Sequence, residues 1–194
     1  YHILDRDFNL PAVKIFLEKT SPVGAGLGGG SADAAFALKM LNELFSLGLQ
    51  DEQLASYAAE LGSDCAFFVY NKPMIGEGRG EVLSFYEVNE IAFGEKDREG
   101  KKYELKVVVP EDIAVSTADA YRGIKPCMPE ITLREALAQP VAEWYKNSLK
   151  NDFEATVFEK YPELGAIKQS LYDSGAVYAA MSGSGSALFA IYEI

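Results

Sequence analysis

The stretch Pro22-Val23-Gly24-Ala25-Gly26-Leu27-Gly28-Gly29-Gly30-Ser31-Ala32 places five glycines within seven residues. Ordering that many glycines is entropically expensive, so a merely flexible turn is a poor use of them. Backbone without side chains turns sharply, points successive N–H groups inward and lets an anion come close. The residues after the run decide its use. From Ser31 the positions Ala34, Leu38, Leu41 and Phe45 fall on one helical stripe, with Gly48 just beyond as a stop signal. The glycines therefore feed a helix N-terminus, whose orphan N–H groups and positive dipole end attract phosphate. The pattern predicts a polyphosphate cradle. Ser31 suits two compatible roles there, a helix cap and a hydroxyl near the phosphate or its metal ion.

Around this loop the chain reads as mixed α/β. Residues 13–18 (VKIFLE) alternate apolar and polar as a half-buried strand does, and 52–61 carry a second helical stripe. Gly62-Ser63-Asp64 breaks that helix before the apolar run 65–70, which reads as a strand. Residues 75–88 read as strands punctuated by Gly76, Gly78 and Gly80. The charged, irregular stretch 89–102 marks a boundary between a domain over 1–100 and another over 101–194. In the second half, 103–109 reads as a strand, 117–123 as a short helix, and 133–171 as helices broken near Pro140 and Pro162. Strands at 176–181 and 187–192 flank Ser182-Gly183-Ser184-Gly185-Ser186.

Charge and cysteine content narrow the function classes. Eighteen Lys+Arg against 29 Asp+Glu give a net charge of −11, which repels a phosphate backbone and disfavours nucleic acid and anionic membranes as partners. No apolar run approaches the roughly 20 residues a bilayer span needs. Cys65 and Cys127 form neither a disulfide framework nor a zinc motif, which favours a reducing, cytoplasmic setting. The chain opens Tyr1-His2-Ile3-Leu4-Asp5, without an initiator Met or a signal peptide, and upstream residues are expected to be missing. His2, the sole histidine, reads as incidental, and Trp144, the sole tryptophan, as core.

Other nucleotide motifs fit less well. Gly24, Gly26 and Gly29 match G-x-G-x-x-G, with Glu43 as a conceivable acidic partner, but Thr20-Ser21-Pro22 separates them from the preceding strand pattern. A dinucleotide-binding oxidoreductase is the second-best reading. The P-loop fails because Gly30 is followed by Ser31-Ala32 with no lysine. Neither His-Arg-Asp nor Asp-Phe-Gly occurs, which excludes the protein-kinase set.

Pro22 with Gly26-Leu27-Gly28-Gly29-Gly30-Ser31-Ala32 resembles the second motif of the GHMP kinases, the small-molecule kinases of galactose, homoserine, mevalonate and phosphomevalonate. Ala179-Ala180-Met181-Ser182-Gly183-Ser184-Gly185-Ser186 resembles their third, C-terminal glycine motif, in the expected order. Three further stretches are most similar to the branch acting on 4-diphosphocytidyl-2-C-methyl-D-erythritol, in the non-mevalonate route to isoprenoid precursors. They are Gly62-Ser63-Asp64-Cys65 with Phe67-Phe68, Gly78-Arg79-Gly80-Glu81, and Asn151-Asp152-Phe153-Glu154. The similarity extends from about Val13 onward. Ala66 departs from the proline usual in that branch, and the family's first motif, with its lysine, is absent from the chain.

The resemblance implies an α+β, GHMP-kinase-like architecture: an incomplete S5-like N-terminal domain, a ferredoxin-like C-terminal domain, and ATP in the cleft between them. It implies ATP and Mg²⁺ as cofactors, a small-molecule substrate phosphorylated at its 2-hydroxyl, and a monomer or weak homodimer. Mevalonate, homoserine or sugar kinase activity is the alternative within the family. Residues 22–32 would bind ATP, Ser31 would approach Mg²⁺, and Asp64 would be catalytic. Gly183, Ser184 and Gly185 would form a secondary glycine loop, and Thr117 and Tyr121, one helical turn apart, would bind substrate. Each also has a plain structural use. Asp64 suits a turn or cap, Thr117 a cap, Tyr121 a core position, and 182–186 a hairpin turn.

Overall fold

A computed structural model describes residues 1–20, 22–86, 100–125, 127–144 and 149–194. The chain divides into two units. One comprises Tyr1–Val23 with Gly28–Glu87, the other Gly24–Leu27 with Val88–Ile194.

Among its described residues the first unit has four helices and a hairpin: α1 (His2–Phe8), α2 (Gly29–Leu44), α3 (Asp51–Leu61), α4 (Cys65–Tyr70), β1 (Met74–Glu77) and β2 (Val82–Phe85). The stripe read from the sequence is the buried face of α2. Ala35, Leu38 and Leu41 pack with Leu4, Leu54, Ala58 and Val69. Each buried leucine contributes about 1.5–3 kcal/mol relative to exposure. The helix ends at Phe45, after which Ser46 (φ 50°) and Gly48 (φ 70°) turn the chain with left-handed backbone. Gln50 and Gln53 form a reciprocal capping box at the start of α3.

Two expected strands are absent. Residues 65–70 form α4, which packs against α2 and α3 and buries Cys65, Ala66 and Val69. A short apolar run is ambiguous between strand and buried helix, and burial at i, i+1 and i+4 resolves it here. Residues 13–18 have no regular secondary structure, and Ile15, Phe16 and Leu17 are all exposed. Among the described residues no strand pairs with them, so their alternating pattern has no ladder to join. The unit also leaves Phe36, Met40 and Leu44, one turn apart on α2, exposed.

The second unit holds a three-stranded antiparallel sheet ordered β3 (Tyr103–Val108), β5 (Leu188–Glu193), β4 (Tyr178–Met181). Tyr103 pairs with Glu193, Tyr178 with Ile191 and Met181 with Leu188. Its helices are α5 (Thr117–Gly123), α6 (Leu133–Leu137), α7 (Glu154–Lys160) and α8 (Pro162–Asp173), with a 3-10 turn at Val141–Glu143. Pro162, expected as a break, occupies the first turn of α8, where its missing N–H costs nothing. Strand alternation sends Ala179 and Met181 to a core with Val157, Leu164 and Leu171, and Tyr178 and Ala180 to a core with Tyr103, Val141 and Ile191. Trp144 packs edge-on against Tyr178, with centroids 5.4 Å apart, in keeping with its expected core role.

The outer edge of β4 is covered by side chains. Tyr172 Oη accepts from the Ala179 N–H and donates to the Ala179 carbonyl, both at 3.1 Å. One pleat further, Glu154 Oε1 accepts the Met181 N–H at 2.7 Å, and Asn151 Nδ2 donates to the Met181 carbonyl at 2.8 Å. These groups stand in for a neighbouring strand and close an edge that would otherwise invite pairing.

Candidate functional site

The first glycine loop is divided between the two units. Gly28 (φ 69°) is the N-cap residue of α2, and Gly29, Gly30 and Ser31 form its first turn. Ser31 therefore lies inside the helix and does not cap it, contrary to one of its two expected roles. The helix starts at Gly29, two residues before Ser31, and its cap position is Gly28 in the left-handed backbone that serine avoids. Among the described residues no side chain caps α2, its first turn carries no acidic residue, and Asp33, next along, is paired with Lys19, so that end keeps its positive dipole. Among the described residues a Cβ on Gly30 would meet nothing within 4 Å, whereas one on Gly28 would lie 2.6 Å from the Phe68 ring. Gly28 is thus demanded by packing, and Gly30 is a glycine for which the structure supplies no packing reason.

Gly24–Leu27, in the second unit, sit on the second glycine loop. The Ala25 carbonyl accepts the Ala187 N–H at 2.9 Å, and Ser182 Oγ donates to the Gly26 carbonyl at 2.9 Å. Gly26 (φ 77°) packs so closely that a Cβ there would lie 2.2 Å from the Ser182 carbonyl oxygen. Ala25 is buried, while Pro22, Val23, Gly24 and Leu27 are exposed.

The stretch Ser182–Ser186 connects β4 to β5 as a hairpin, the structural use anticipated for it. The Ser182 N–H donates to the Ala187 carbonyl at 2.8 Å and the Gly185 N–H to the Ser182 carbonyl at 3.0 Å. Gly183 (φ 53°) and Gly185 (φ 90°) take left-handed backbone. Ser184 Oγ lies 3.0 Å from Thr117 Oγ1. The sequence separates Thr117 from the second loop by more than sixty residues; the fold brings them into contact.

Helix α5 corrects two of the expected structural uses. Ser116, not Thr117, is the cap, accepting the Asp119 N–H at 3.3 Å. Tyr121 is no core residue: it is 62% exposed and meets Phe153 edge-on at 4.9 Å. Thr117 and Tyr121, four residues apart, lie on one face of α5. Asp119, in the same turn, accepts from Lys160 at 3.0 Å and from Arg122. Lys160 first, then Arg122, holds its carboxyl below the usual aspartate range.

Asp64 stands at the N-cap position of α4 with helical backbone (φ −89°, ψ −10°), and its side chain makes no capping bond. The carboxylate is exposed, accepts from Ser63 Oγ at 3.2 Å, and faces the β1–β2 turn, where a Cβ on Gly80 would lie 3.6 Å from Oδ1. Two stretches noted separately in the sequence, Gly62–Cys65 and Gly78–Glu81, are therefore neighbours. In that turn Glu81 accepts the Arg79 N–H at 2.7 Å, and backbone N–H groups, its own first, lower its carboxyl below the usual range.

Sequence reasoning gave no role to Asn151, Glu154 or Phe68, although all three lie in stretches that it singled out. Asn151 Nδ2 donates to the Met181 and Gly183 carbonyls at 2.8 and 2.7 Å, while its Oδ1 accepts the Phe153 N–H at 3.0 Å. The signal was Asn-Asp-Phe-Glu itself, an asparagine beside an aspartate in which only the amide can donate.

Comparison with known proteins agrees with these motifs. The GHMP kinases N terminal domain matches residues 1–72, and the GHMP kinases C terminal domain matches residues 133–193. A protein of Azobacteroides pseudotrichonymphae named 4-diphosphocytidyl-2-C-methyl-D-erythritol kinase is 43% identical over all of this chain and 68% of its own length. The chain belongs to the GHMP kinase family. A Bacteroides fragilis protein of the same name is 52% identical over the whole chain, which spans 66% of that relative's length. The crystal structure of a 4-(cytidine 5'-diphospho)-2C-methyl-D-erythritol kinase superposes with a TM-score of 0.68 at 29% identity, over 89% of this chain and 59% of the other. The mixed helix-and-sheet fold is thus that of a GHMP kinase. A dinucleotide-binding unit needs a strand running into its glycine turn and a parallel sheet. Among the described residues no strand enters the loop and both sheets are antiparallel, so the oxidoreductase reading falls.

Proposed function

We propose that the protein transfers the γ-phosphate of ATP to the 2-hydroxyl of 4-diphosphocytidyl-2-C-methyl-D-erythritol. The observation that carries the chemistry is the N-terminus of α2: glycine-lined, with no side-chain cap among the described residues and no acidic residue in its first turn. The names of relatives identical at 43 to 52% over the whole chain support the substrate. Phosphoryl transfer asks chiefly for positioning and charge stabilisation. The N–H groups of Gly29, Gly30 and Ser31 hold phosphate oxygens with the help of the helix dipole. The residues from Pro22 to Leu27 set the entry to that turn, and Ala32 continues it.

In the reaction the substrate's hydroxyl oxygen bonds to the γ-phosphorus, the bond from that phosphorus to the bridging oxygen of ADP breaks, and the alcohol proton passes to the Asp64 carboxylate. Because its side chain is not used as a cap, Asp64 is available for that proton. Thr117 and Tyr121 bind the substrate's organic part. Gly183, Ser184 and Gly185 shape the second loop beside Thr117. Ser31 would be the protein ligand of a Mg²⁺ ion, which would supply charge neutralisation on the phosphates.

The setting is cytoplasmic, with a small-molecule substrate and neither nucleic acid nor membrane as partner; no described helix is long and apolar enough to cross a membrane. The test is coupled ADP release by the natural full-length protein, offered 4-diphosphocytidyl-2-C-methyl-D-erythritol, mevalonate, homoserine and galactose. The reading expects clear preference for the first; equal or absent turnover with it rejects the substrate.

A further inference from the structure

We propose that Asn151 is a positioning residue for the second glycine loop, setting through that loop the place of Thr117 and of the Gly24–Leu27 backbone. Its effect on catalysis rests on the kinase reading of the site.

The asparagine amide is fully committed. Its Oδ1 accepts the Phe153 N–H at 3.0 Å, and its Nδ2 donates to two carbonyls, Met181 at 2.8 Å and Gly183 at 2.7 Å. One N–H on one side and two carbonyls on the other fix which way the amide points, because the flipped amide would set oxygen against two oxygens. The two carbonyls bracket Ser182, the residue whose Oγ reaches the Gly26 carbonyl at 2.9 Å. Just past Gly183, Ser184 Oγ meets Thr117 Oγ1 at 3.0 Å. Glycine-rich backbone has little side-chain packing of its own to choose among turn shapes. Here the choice is made from outside, by an amide clamping both sides of Ser182.

The clamp has a base. Glu154, buried and only three residues along, accepts the Met181 N–H at 2.7 Å and pairs with Lys168 at 2.5 Å, where both side chains are largely buried. Met181 is thereby gripped at both its N–H and its carbonyl, and the start of the loop is anchored to α7 and α8. The bonds of Asn151 and Glu154 run to Met181, Gly183, Phe153 and Lys168, so both act through the loop. Between them Asn151 is the specific element. Its place requires two donors and one acceptor, and an aspartate of the same shape supplies no donor.

The experiment compares Asn151→Asp and Asn151→Ala with wild type in the natural full-length protein, by steady-state kinetics and amide hydrogen exchange. Asn151→Asp should lower kcat/KM for the alcohol about a hundredfold, the size of effect that misplacement by roughly 1 Å produces, with the protein destabilised but still folded at the assay temperature. Faster exchange should be confined to 182–187 and 24–27. Asn151→Ala, which removes the donors without adding a charge, should show the same pattern at smaller amplitude. Unchanged kinetics and exchange in both variants would overturn the proposal. So would loss of kcat/KM that merely tracks global unfolding in both, since that is a general structural role. Wild-type protein that binds no ATP analogue defeats the kinase reading instead, and the exchange pattern at 182–187 still reports whether Asn151 holds the loop.

Discussion

The two glycine loops use the same residue for different physical ends. At the first, Gly28, Gly29 and Gly30 open a 16-residue helix, and Gly30 has open space where its side chain would be. At the second, Gly183 and Gly185 form a hairpin turn, and a Cβ on either would lie within about 3 Å of existing atoms: the Gly26 carbonyl oxygen for Gly183 and Met181 Sδ for Gly185. The open Gly30 leaves room for a ligand, while crowded glycines let backbone approach other backbone, as at Gly183, or a side chain, as at Gly185 and Gly28. Gly26, on the first loop but crowded by Ser182 and Gly185, belongs in its packing to the second class. A glycine motif is thus a mixture, and only the surroundings of each position tell which are for function.

Substitution breaks this contrast most severely at Gly26. Gly26→Ala combines a left-handed backbone with a 2.2 Å approach to a carbonyl oxygen, and should cost about 3 kcal/mol or more in denaturant unfolding. Asp64→Asn comes next. Turnover should fall about a hundredfold with affinity for an ATP analogue nearly intact, as for loss of a positioned acid–base group; near-normal turnover returns Asp64 to a turn role. Gly30→Ala sharpens the contrast from the other side. Alanine fits the helical backbone and should stabilise the fold by about 0.5–1 kcal/mol, yet its methyl group enters the space assigned to phosphate, so ATP affinity by calorimetry should fall. A variant that is more stable and binds ATP equally well would remove Gly30 from the cradle.

The smallest effect concerns α5. Asp119 has its carboxyl lowered by Lys160 and Arg122, so its folded-state pKa lies below that of the unfolded chain. The contribution is present above the ordinary aspartate range and disappears as pH falls through the depressed value. Acidification should therefore weaken the tie between α5 and α7 slightly, and Asp119→Asn should remove that slope from the stability–pH curve. The groups are exposed and the effect should shrink with added salt.

Much of this was legible in the sequence wherever a long periodic pattern met a clear stop. Helix α2 emerged from Leu38, Leu41 and Gly48, α3 from Leu54 and Ala58, and the paired strands β4 and β5 from the segments flanking 182–186. Short or partner-dependent stretches were not legible. Cys65–Tyr70 is apolar throughout, so no periodicity distinguished helix from strand until α2 and α3 closed on it. Residues 13–18 alternate as a strand does, but a strand also requires a neighbour. At the candidate site, Asp64 and the first loop were proposed from motifs, whereas Ser116 as the cap of α5 and the Asn151 bonds to the second loop depend on contacts across 3 to 32 residues.

The central claim is that the N-terminus of α2 receives the nucleotide's phosphates. A crystal of the natural full-length protein grown with a non-hydrolysable ATP analogue and magnesium tests it directly. The account predicts phosphate oxygens within hydrogen-bond reach of the Gly29, Gly30 and Ser31 N–H groups. An analogue well ordered elsewhere, with those amides facing solvent, would contradict it.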